Sequence, residues 1–287
     1  MQRAIATCAM MLLAGSAFAQ AEPEGRRVTI NGMEMYYEVS GKGDPLIVLH
    51  GAYMAIPAMG DIIPQLSETH KVYALEMQGH GRTTDIDRPI TYPNLADDVA
   101  AFMDAVELEK ADVFGYSMGA ATGLQLAIRH PDKVNHLVLA STGYDASGFQ
   151  PEFAKMLPTM TPDMLLGTPF EAAYRELAPN PDGFRALAEK LIALEHEPQA
   201  WDTDLPDIAA PVLVIVGDAD VVTLEHVVAM YRLLGGGAMG DMGQPLAASR
   251  LAILPATSHT AVINQPELLH SLIEPFLQGQ KPKGMFD

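Results

Sequence analysis

The sequence predicts an α/β protein with a mostly parallel central sheet flanked by helices. Short apolar runs bounded by turn-forming residues alternate with stretches of helical period. Polarity alternates roughly over residues 28–39 around Asn31 and Gly32, a pair that favours a hairpin turn. With 287 residues, 48% of them hydrophobic, the chain can bury one large core and carry an insertion. The strands expected after the hairpin are 46–49, 72–75, 112–116, 134–140, 212–216 and 251–254.

The alternation of strand and helix lapses between residues 141 and 206. This stretch is rich in Met, Pro and Leu, and Phe184, Leu187 and Leu191 would share one face of a helix. We interpret it as a helical lid inserted after the sixth strand. The core is then divided into a first part, 20–140, and a second part, 207–287.

Residues 1–19 show the pattern of a signal peptide. Arg3 supplies a positive charge, an apolar run follows that is short for a bilayer span, and Ala17 and Ala19 occupy the positions that signal peptidase reads. We expect cleavage after Ala19, export to the periplasm or the medium, and no membrane insertion afterwards. The single cysteine, Cys8, would leave with this segment, so we expect no disulfide.

Charge and composition exclude several classes of partner. The formal net charge of −18 repels nucleic acid and anionic lipid surfaces. The histidines lack metal-ligand spacing, so we expect no metal. Glycines 235–237 follow a predicted helix and precede a strand, the reverse of a phosphate-binding loop, so we expect no cofactor.

Residues 115–119, Gly-Tyr-Ser-Met-Gly, lie between a predicted strand and a predicted helix. This is the context of a nucleophile elbow, in which a sharp turn lifts the serine hydroxyl above the sheet. Small residues are needed on both sides because the turn is tight, and Gly115 and Gly119 meet that need. Ser117 is therefore the candidate nucleophile, and it needs a base to activate it.

With this motif the chain resembles the α/β-hydrolase fold family, in particular its serine hydrolase and esterase branch and the cofactor-free haloperoxidase-like and lactonase-like members. The resemblance runs from about Val28 to Leu269 and implies the chain order nucleophile, acid, histidine. The Gly-x-x-Asp pattern after strand 212–216 implies Asp220 as the acid, with Asp218 as the alternative. His259, on the loop after the last strand, would be the base, and Ser258 replaces the usual glycine there.

The resemblance also implies an oxyanion hole. His50 and Gly51 precede Ala52, whose backbone N–H would act together with that of Met118. We interpret His50 as structural. Tyr53 and Met54, next in the chain, are expected to line the substrate pocket.

Tyr144 follows strand 134–140 at the edge where parallel sheets bind ligands, so we expect it to contact substrate.

These residues predict a serine hydrolase that cleaves a carboxylic ester of a small or apolar substrate through an acyl-enzyme. Lactone hydrolysis, haloperoxidase-like perhydrolysis, carbon–carbon bond hydrolysis and a catalytically silent binding protein stay open as alternatives. Apolar lid residues such as Met156, Met160 and Phe170 fit either an apolar pocket or simple packing of the lid.

Overall fold

A computed structural model describes residues 23–240 and 246–280. The predicted signal peptide, residues 1–19, lies outside the described residues and stays a prediction. The strands are β1 Glu24–Ile30, β2 Met33–Gly41, β3 Asp44–Leu49, β4 His70–Leu75, β5 Ala111–Tyr116, β6 Val134–Ala140, β7 Val212–Ala219 and β8 Arg250–Ser258. The α-helices are α1 Ile62–Leu66, α2 Tyr92–Ala105, α3 Met118–Arg129, α4 Pro151–Met156, α5 Pro169–Leu177, α6 Phe184–Glu195, α7 Leu224–Leu233 and α8 Pro266–Leu277.

All these strands form one sheet in the order β1-β2-β4-β3-β5-β6-β7-β8. β1 and β2 pair antiparallel as the predicted hairpin, and Asn31 and Gly32 in its turn have φ values of 47° and 85°. β2 also runs antiparallel to β4, whereas β3 to β8 are parallel. The predicted fold class, a mostly parallel sheet flanked by helices, is confirmed.

The sheet is covered on both faces, which explains why its central strands are mainly apolar. Phe102 on α2 and Leu124 on α3 belong to a core cluster on one face. Ile62 on α1 and Phe276 on α8 belong to a second cluster on the other face. This two-sided packing leaves the carboxyl ends of the parallel strands as the edge where loops can gather functional groups.

The predicted insertion lies between β6 and β7 and contains α4, α5 and α6, which we call the cap. The apolar face predicted for α6 is buried, with Phe184, Leu187, Leu191 and Leu194 all at most 2% exposed. Near its two ends the cap is tied together by a bridge between Asp145 and Ala200. Within the described residues, no helix is long and apolar enough to cross a membrane.

The core on the α2 face makes a first testable prediction. Phe102 is fully buried, and its ring packs edge-on against Tyr37 at 4.9 Å between centroids. Because Phe102→Ala leaves a cavity, we expect the free energy of unfolding to fall by about 3–5 kcal/mol. Urea denaturation measures this loss as a lower midpoint with an unchanged slope.

The matched control is Leu268→Ala, since Leu268 is 37% exposed on α8. It should change the stability by less than about 0.5 kcal/mol. An equally small effect for Phe102→Ala would contradict the packing described here.

Candidate active site

The turn between β5 and α3 holds Ser117 in an unusual backbone conformation, with φ 54° and ψ −118°. Glycine is required on both sides of the turn because other backbone atoms lie too close to leave room for a side chain. A Cβ on Gly115 would lie 2.3 Å from the carbonyl oxygen of Gly119, and one on Gly119 would lie 2.3 Å from that of Leu49. The backbone therefore crowds together around the turn, and the side chain of Ser117 is directed into a cavity above the sheet.

The structure brings Ser117, His259 and Asp220 into one chain of hydrogen bonds. The Nε2 atom of His259 lies 3.0 Å from the Ser117 hydroxyl, and its Nδ1 atom lies 2.8 Å from Oδ1 of Asp220. Ser117 follows β5, Asp220 follows β7 and His259 follows β8, so parallel strands deliver all three to the same edge. With Nδ1 protonated toward the carboxylate, Nε2 is free to accept the serine proton.

Ser141 holds the second oxygen of the Asp220 carboxylate. Its hydroxyl donates to Oδ2 at 2.7 Å, and the Val222 N–H donates to Oδ1 at 3.3 Å. Burial alone would raise the pKa of Asp220, but the hydrogen bonds from His259 and Ser141 outweigh burial and hold that pKa below its usual range. Asp220 is therefore a buried, ionised carboxylate.

Sequence reasoning missed Ser141, although its position directly after β6, the neighbour of β7, was a usable signal.

Asp218, the alternative acid, has a different contact. Its carboxylate accepts the backbone N–H groups of Ala256 at 2.9 Å and Thr257 at 3.0 Å, and these bonds lower the pKa of Asp218. Ala256 has a φ of 52°, an unfavourable conformation for alanine, so Asp218 binds the loop at its strained residue. Ser258 is extended, with φ −87°, and needs no glycine. Asp218 thus holds the loop that presents His259.

Tyr116 braces the same loop from the other side. Its hydroxyl donates to the carbonyl oxygen of His259 at 3.0 Å, and its ring lies 5.5 Å from the imidazole between centroids. The sequence identified Tyr116 only as a variable position of the elbow motif. Its hydrogen bond spans 143 positions along the chain, so no local pattern could predict it.

Two backbone N–H groups lie beside Ser117. Leu49 of β3 pairs with Gly115 of β5, so the chain after β3 runs next to the elbow. Ala52 and Met118 both line the cavity, and neither N–H donates to another described residue. Two unpaired donors beside a serine hydroxyl can bind an oxyanion.

Two buried histidines hold the loop after β3. His50 Nε2 accepts the Met77 N–H at 3.1 Å, and His80 Nε2 accepts the Tyr53 N–H at 3.3 Å. Burial, reinforced by the neighbouring His80, lowers the pKa of His50 to about 3, and burial lowers that of His80 to about 4. Both rings are therefore neutral acceptors, and the one on His80 binds the N–H of Tyr53, whose φ is 61°. His50 occupies the structural position expected of it.

A cavity of about 280 Å³ opens above Ser117, with the cap as its roof. Tyr53 and Met54 line it as predicted, and most of the remaining lining is apolar. The described lining includes two acidic groups outside the hydrogen-bonded chain, Asp145 and Glu195, but no lysine or arginine. The apolar lining is contributed mainly by Phe149, Phe153, Met156, Leu157, Met160, Leu165, Phe170, Val221 and Val222.

Tyr144 is not among the residues that line the cavity, and its expected contact with substrate stays a prediction. Its ring stacks on His226 of α7 at 4.0 Å between centroids, and its N–H donates to His226 Nε2 at 3.1 Å. This stacking draws the side chain away from the cavity, whereas the adjacent Gly143 and Asp145 line it. Tyr144 follows β6 at the edge of the sheet as expected, and its side chain packs against α7.

Comparison with known proteins agrees with the fold. A family model described as alpha/beta hydrolase fold matches residues 44–174. The crystal structure of the enol-lactonase from Burkholderia xenovorans LB400 matches with a TM-score of 0.68 at 21% identity, over 88% of this chain and 100% of that one. The chain has the α/β-hydrolase fold.

Among characterised relatives, the chain is 34% identical over 152 residues to the 2-hydroxymuconate semialdehyde hydrolase of Pseudomonas sp. (strain CF600). That match covers 48% of this chain and about half, 54%, of the relative. A pimeloyl-(acyl-carrier protein) methyl ester esterase of Neisseria meningitidis serogroup B is 27% identical over 256 residues, which cover 81% of this chain and 92% of the esterase. The chain is a hydrolase of the α/β fold.

The environment of Asp220 makes a second prediction. Ser141→Ala removes one donor from a buried carboxylate, so the pKa of Asp220 should rise and its hold on His259 should weaken. A hydrogen bond to a charged group contributes about 1.5–3 kcal/mol, and we expect kcat/KM for any substrate turned over to fall by about tenfold or more. Steady-state kinetics with Ser271→Ala, an exposed serine on α8, as control measures this. Equal kcat/KM for both variants would contradict a role for Ser141.

The loop held by Asp218 makes a third prediction, on pH dependence. Two N–H donors lower the pKa of Asp218 in the folded state. Its stabilising contribution is therefore fully present above the unfolded pKa of roughly 3.9 and is lost as the pH falls through the lower folded value. Asp218→Asn should lower the melting temperature at pH 7, and the difference from wild type should shrink toward pH 3.

The control for this prediction is Asp207→Asn, an exposed aspartate before β7. It should leave the melting temperature unchanged at every pH. A difference for Asp218→Asn that grew on acidification would overturn the assignment.

Proposed function

We propose that this protein is a serine hydrolase that cleaves a carboxylic ester carrying no negative charge, through an acyl-enzyme on Ser117. The observation that carries the proposal is the alignment of Ser117, His259 and Asp220 at 3.0 and 2.8 Å, beside the unpaired N–H groups of Ala52 and Met118. Nucleophile, base, orienting acid and oxyanion donors are the groups that acyl transfer needs.

The reaction follows from this arrangement. His259 Nε2 takes the Ser117 proton as Oγ attacks the ester carbonyl, and the displaced electron pair goes to the carbonyl oxygen. The N–H groups of Ala52 and Met118 stabilise that oxyanion, each contributing on the order of 3 kcal/mol. Collapse expels the alcohol, which takes the proton from His259. A water activated by the same imidazole then releases the acid and restores Ser117.

The lining of the cavity supports a substrate without negative charge. Asp145 and Glu195 would repel a carboxylate, and the described lining offers no lysine or arginine to bind one. Several relatives are named for dienoate substrates, which are carboxylates. The described lining holds no counter-charge for such a group, which favours an ester over a ring-cleavage acid.

The size of the cavity supports a small substrate. Its volume of about 280 Å³ lies at the lower end of the range of ligand pockets. The bulky apolar side chains that roof it would exclude a long acyl chain unless the cap moves. We therefore expect a preference for short acyl chains.

The test is hydrolysis of p-nitrophenyl acetate, butyrate, hexanoate, decanoate and palmitate. We expect kcat/KM to be highest among the first three esters. Ser117→Ala and His259→Ala should each lower kcat by at least about a thousandfold, and Asp220→Asn by a similar order, because the three groups act as a unit. A fluorophosphonate should add to Ser117 in wild type, as detected by mass spectrometry, and not to Ser117→Ala.

Other outcomes would select the alternatives. Turnover of lactones, or peroxide-dependent oxidation without turnover of esters, would place the same residues in lactonase or perhydrolase chemistry. Turnover of a dienoate alone would indicate a carbon–carbon bond hydrolase and would contradict the argument from charge. Failure of the fluorophosphonate to label Ser117, with no turnover of any substrate, would indicate a silent binding protein.

A further inference from the structure

Glu195 is a partly buried acidic residue that has no hydrogen-bond or ion-pair partner among the described residues. It is the last residue of α6, and it lines the cavity that Ser117 and His259 also line. No hydrogen bond or ion pair joins its carboxylate to another described residue. Burial raises the pKa of Glu195, and the charges of His259 and His196 offset this only in part.

This placement is unfavourable for the protein alone. An ionised carboxylate surrounded by apolar groups loses its hydration and gains nothing in return. The C-terminal end of a helix carries partial negative charge, which repels an acidic side chain further. The last turn of α6 contains no basic residue to compensate. The missing partner of Glu195 is best supplied by a ligand that enters the cavity.

The surroundings select the charge of that ligand. Asp145 is a second acid in the lining, and the described lining has no competing cation. The rings of Tyr53 and Tyr92 also line the cavity, and both belong to the apolar cluster that packs against α6. Burial raises the pKa of both phenols, and the charge of Glu195 raises it further.

A carboxylate beside aromatic faces is suited to an ammonium group. The rings attract a cation through their π faces, and the attraction is stronger where the group is desolvated. At longer range, the net charge of −18 draws cations toward the protein. A neutral hydroxyl could also donate a hydrogen bond to Glu195. It would not be attracted to the aromatic rings or to the negative charge as a cation is.

We propose that Glu195, flanked by Tyr53 and Tyr92, binds a cationic amine or quaternary ammonium group carried by the ester substrate. The inference deepens the proposed function and rests on it for the ester. Glu195 is a specificity residue here, and it takes no part in bond breaking. Because it holds a group remote from the reacting carbonyl, its effect should fall mainly on KM.

The first test compares esters that differ only in charge. Acetylcholine is paired with 3,3-dimethylbutyl acetate, in which carbon replaces the nitrogen, and methyl 6-aminohexanoate with methyl heptanoate. The two pairs place the cation on the alcohol and on the acyl side. For at least one pair, the wild-type kcat/KM should favour the cationic ester by tenfold or more, chiefly through KM. Glu195→Gln should bring that ratio to about one.

The matched control is Glu189→Gln, an exposed glutamate on the same helix that does not line the cavity. It should keep the wild-type ratio, which separates a local contact from the general charge of the protein. Glu195→Gln should also raise the melting temperature, because it removes a partly buried charge that has no partner among the described residues. A lower melting temperature would show that Glu195 has a structural role and would overturn the proposal.

Binding of tetramethylammonium to wild type, Ser117→Ala and Glu195→Gln, measured by calorimetry, separates the two proposals. Suppose that tetramethylammonium binds to the first two proteins and not to Glu195→Gln, and that no ester is turned over. This result would support the cation site and contradict the proposed esterase function. Turnover of neutral esters with no preference for cations and no tetramethylammonium binding would overturn the cation site alone. A preference for hydroxylated esters over both cationic and plain ones would also overturn it.

Discussion

The backbone at Ser117 is the constraint around which the site is built. At φ 54° and ψ −118° the residue occupies a region that costs on the order of 1–3 kcal/mol, and the surrounding structure must hold it there. Steric contacts hold it there, since Gly115, Gly119 and the end of β3 lie so close together that neither glycine could carry a Cβ. The same approach brings Ala52 beside Met118. Nucleophile and oxyanion donors are thus two consequences of one tight turn.

Two acidic residues at the end of β7 position His259 in different ways. Asp220 meets the imidazole directly, and Asp218 fastens the backbone of the loop that carries it. Ser141, from the neighbouring strand, occupies the remaining oxygen of Asp220. Because these contacts all arise where β6, β7 and β8 end side by side, the register of the sheet sets the orientation of His259.

The fold and most of the site could be predicted because their signals are local. The elbow motif, the hairpin turn and the position of His259 depend on residues next to one another in the chain. The direction of the Tyr144 side chain could not be predicted, because it depends on a distant partner, His226. The sequence does contain a signal for Glu195, because an acidic residue four positions after Leu191 falls on the apolar face of α6. Its meaning required the cavity, which only the tertiary structure defines.

The bridge between Asp145 and Ala200 joins the two ends of the cap, and the bridge between Phe149 and Val222 fastens the start of the cap to the loop after β7. The chain in between is a closed excursion whose ends stay side by side whatever its length or sequence. Recombination could therefore exchange this excursion between related chains without altering the sheet. The cap, which lines the substrate cavity, and the core, which carries the catalytic residues, are free to change at different rates. A new substrate specificity can therefore arise while the catalytic residues stay the same.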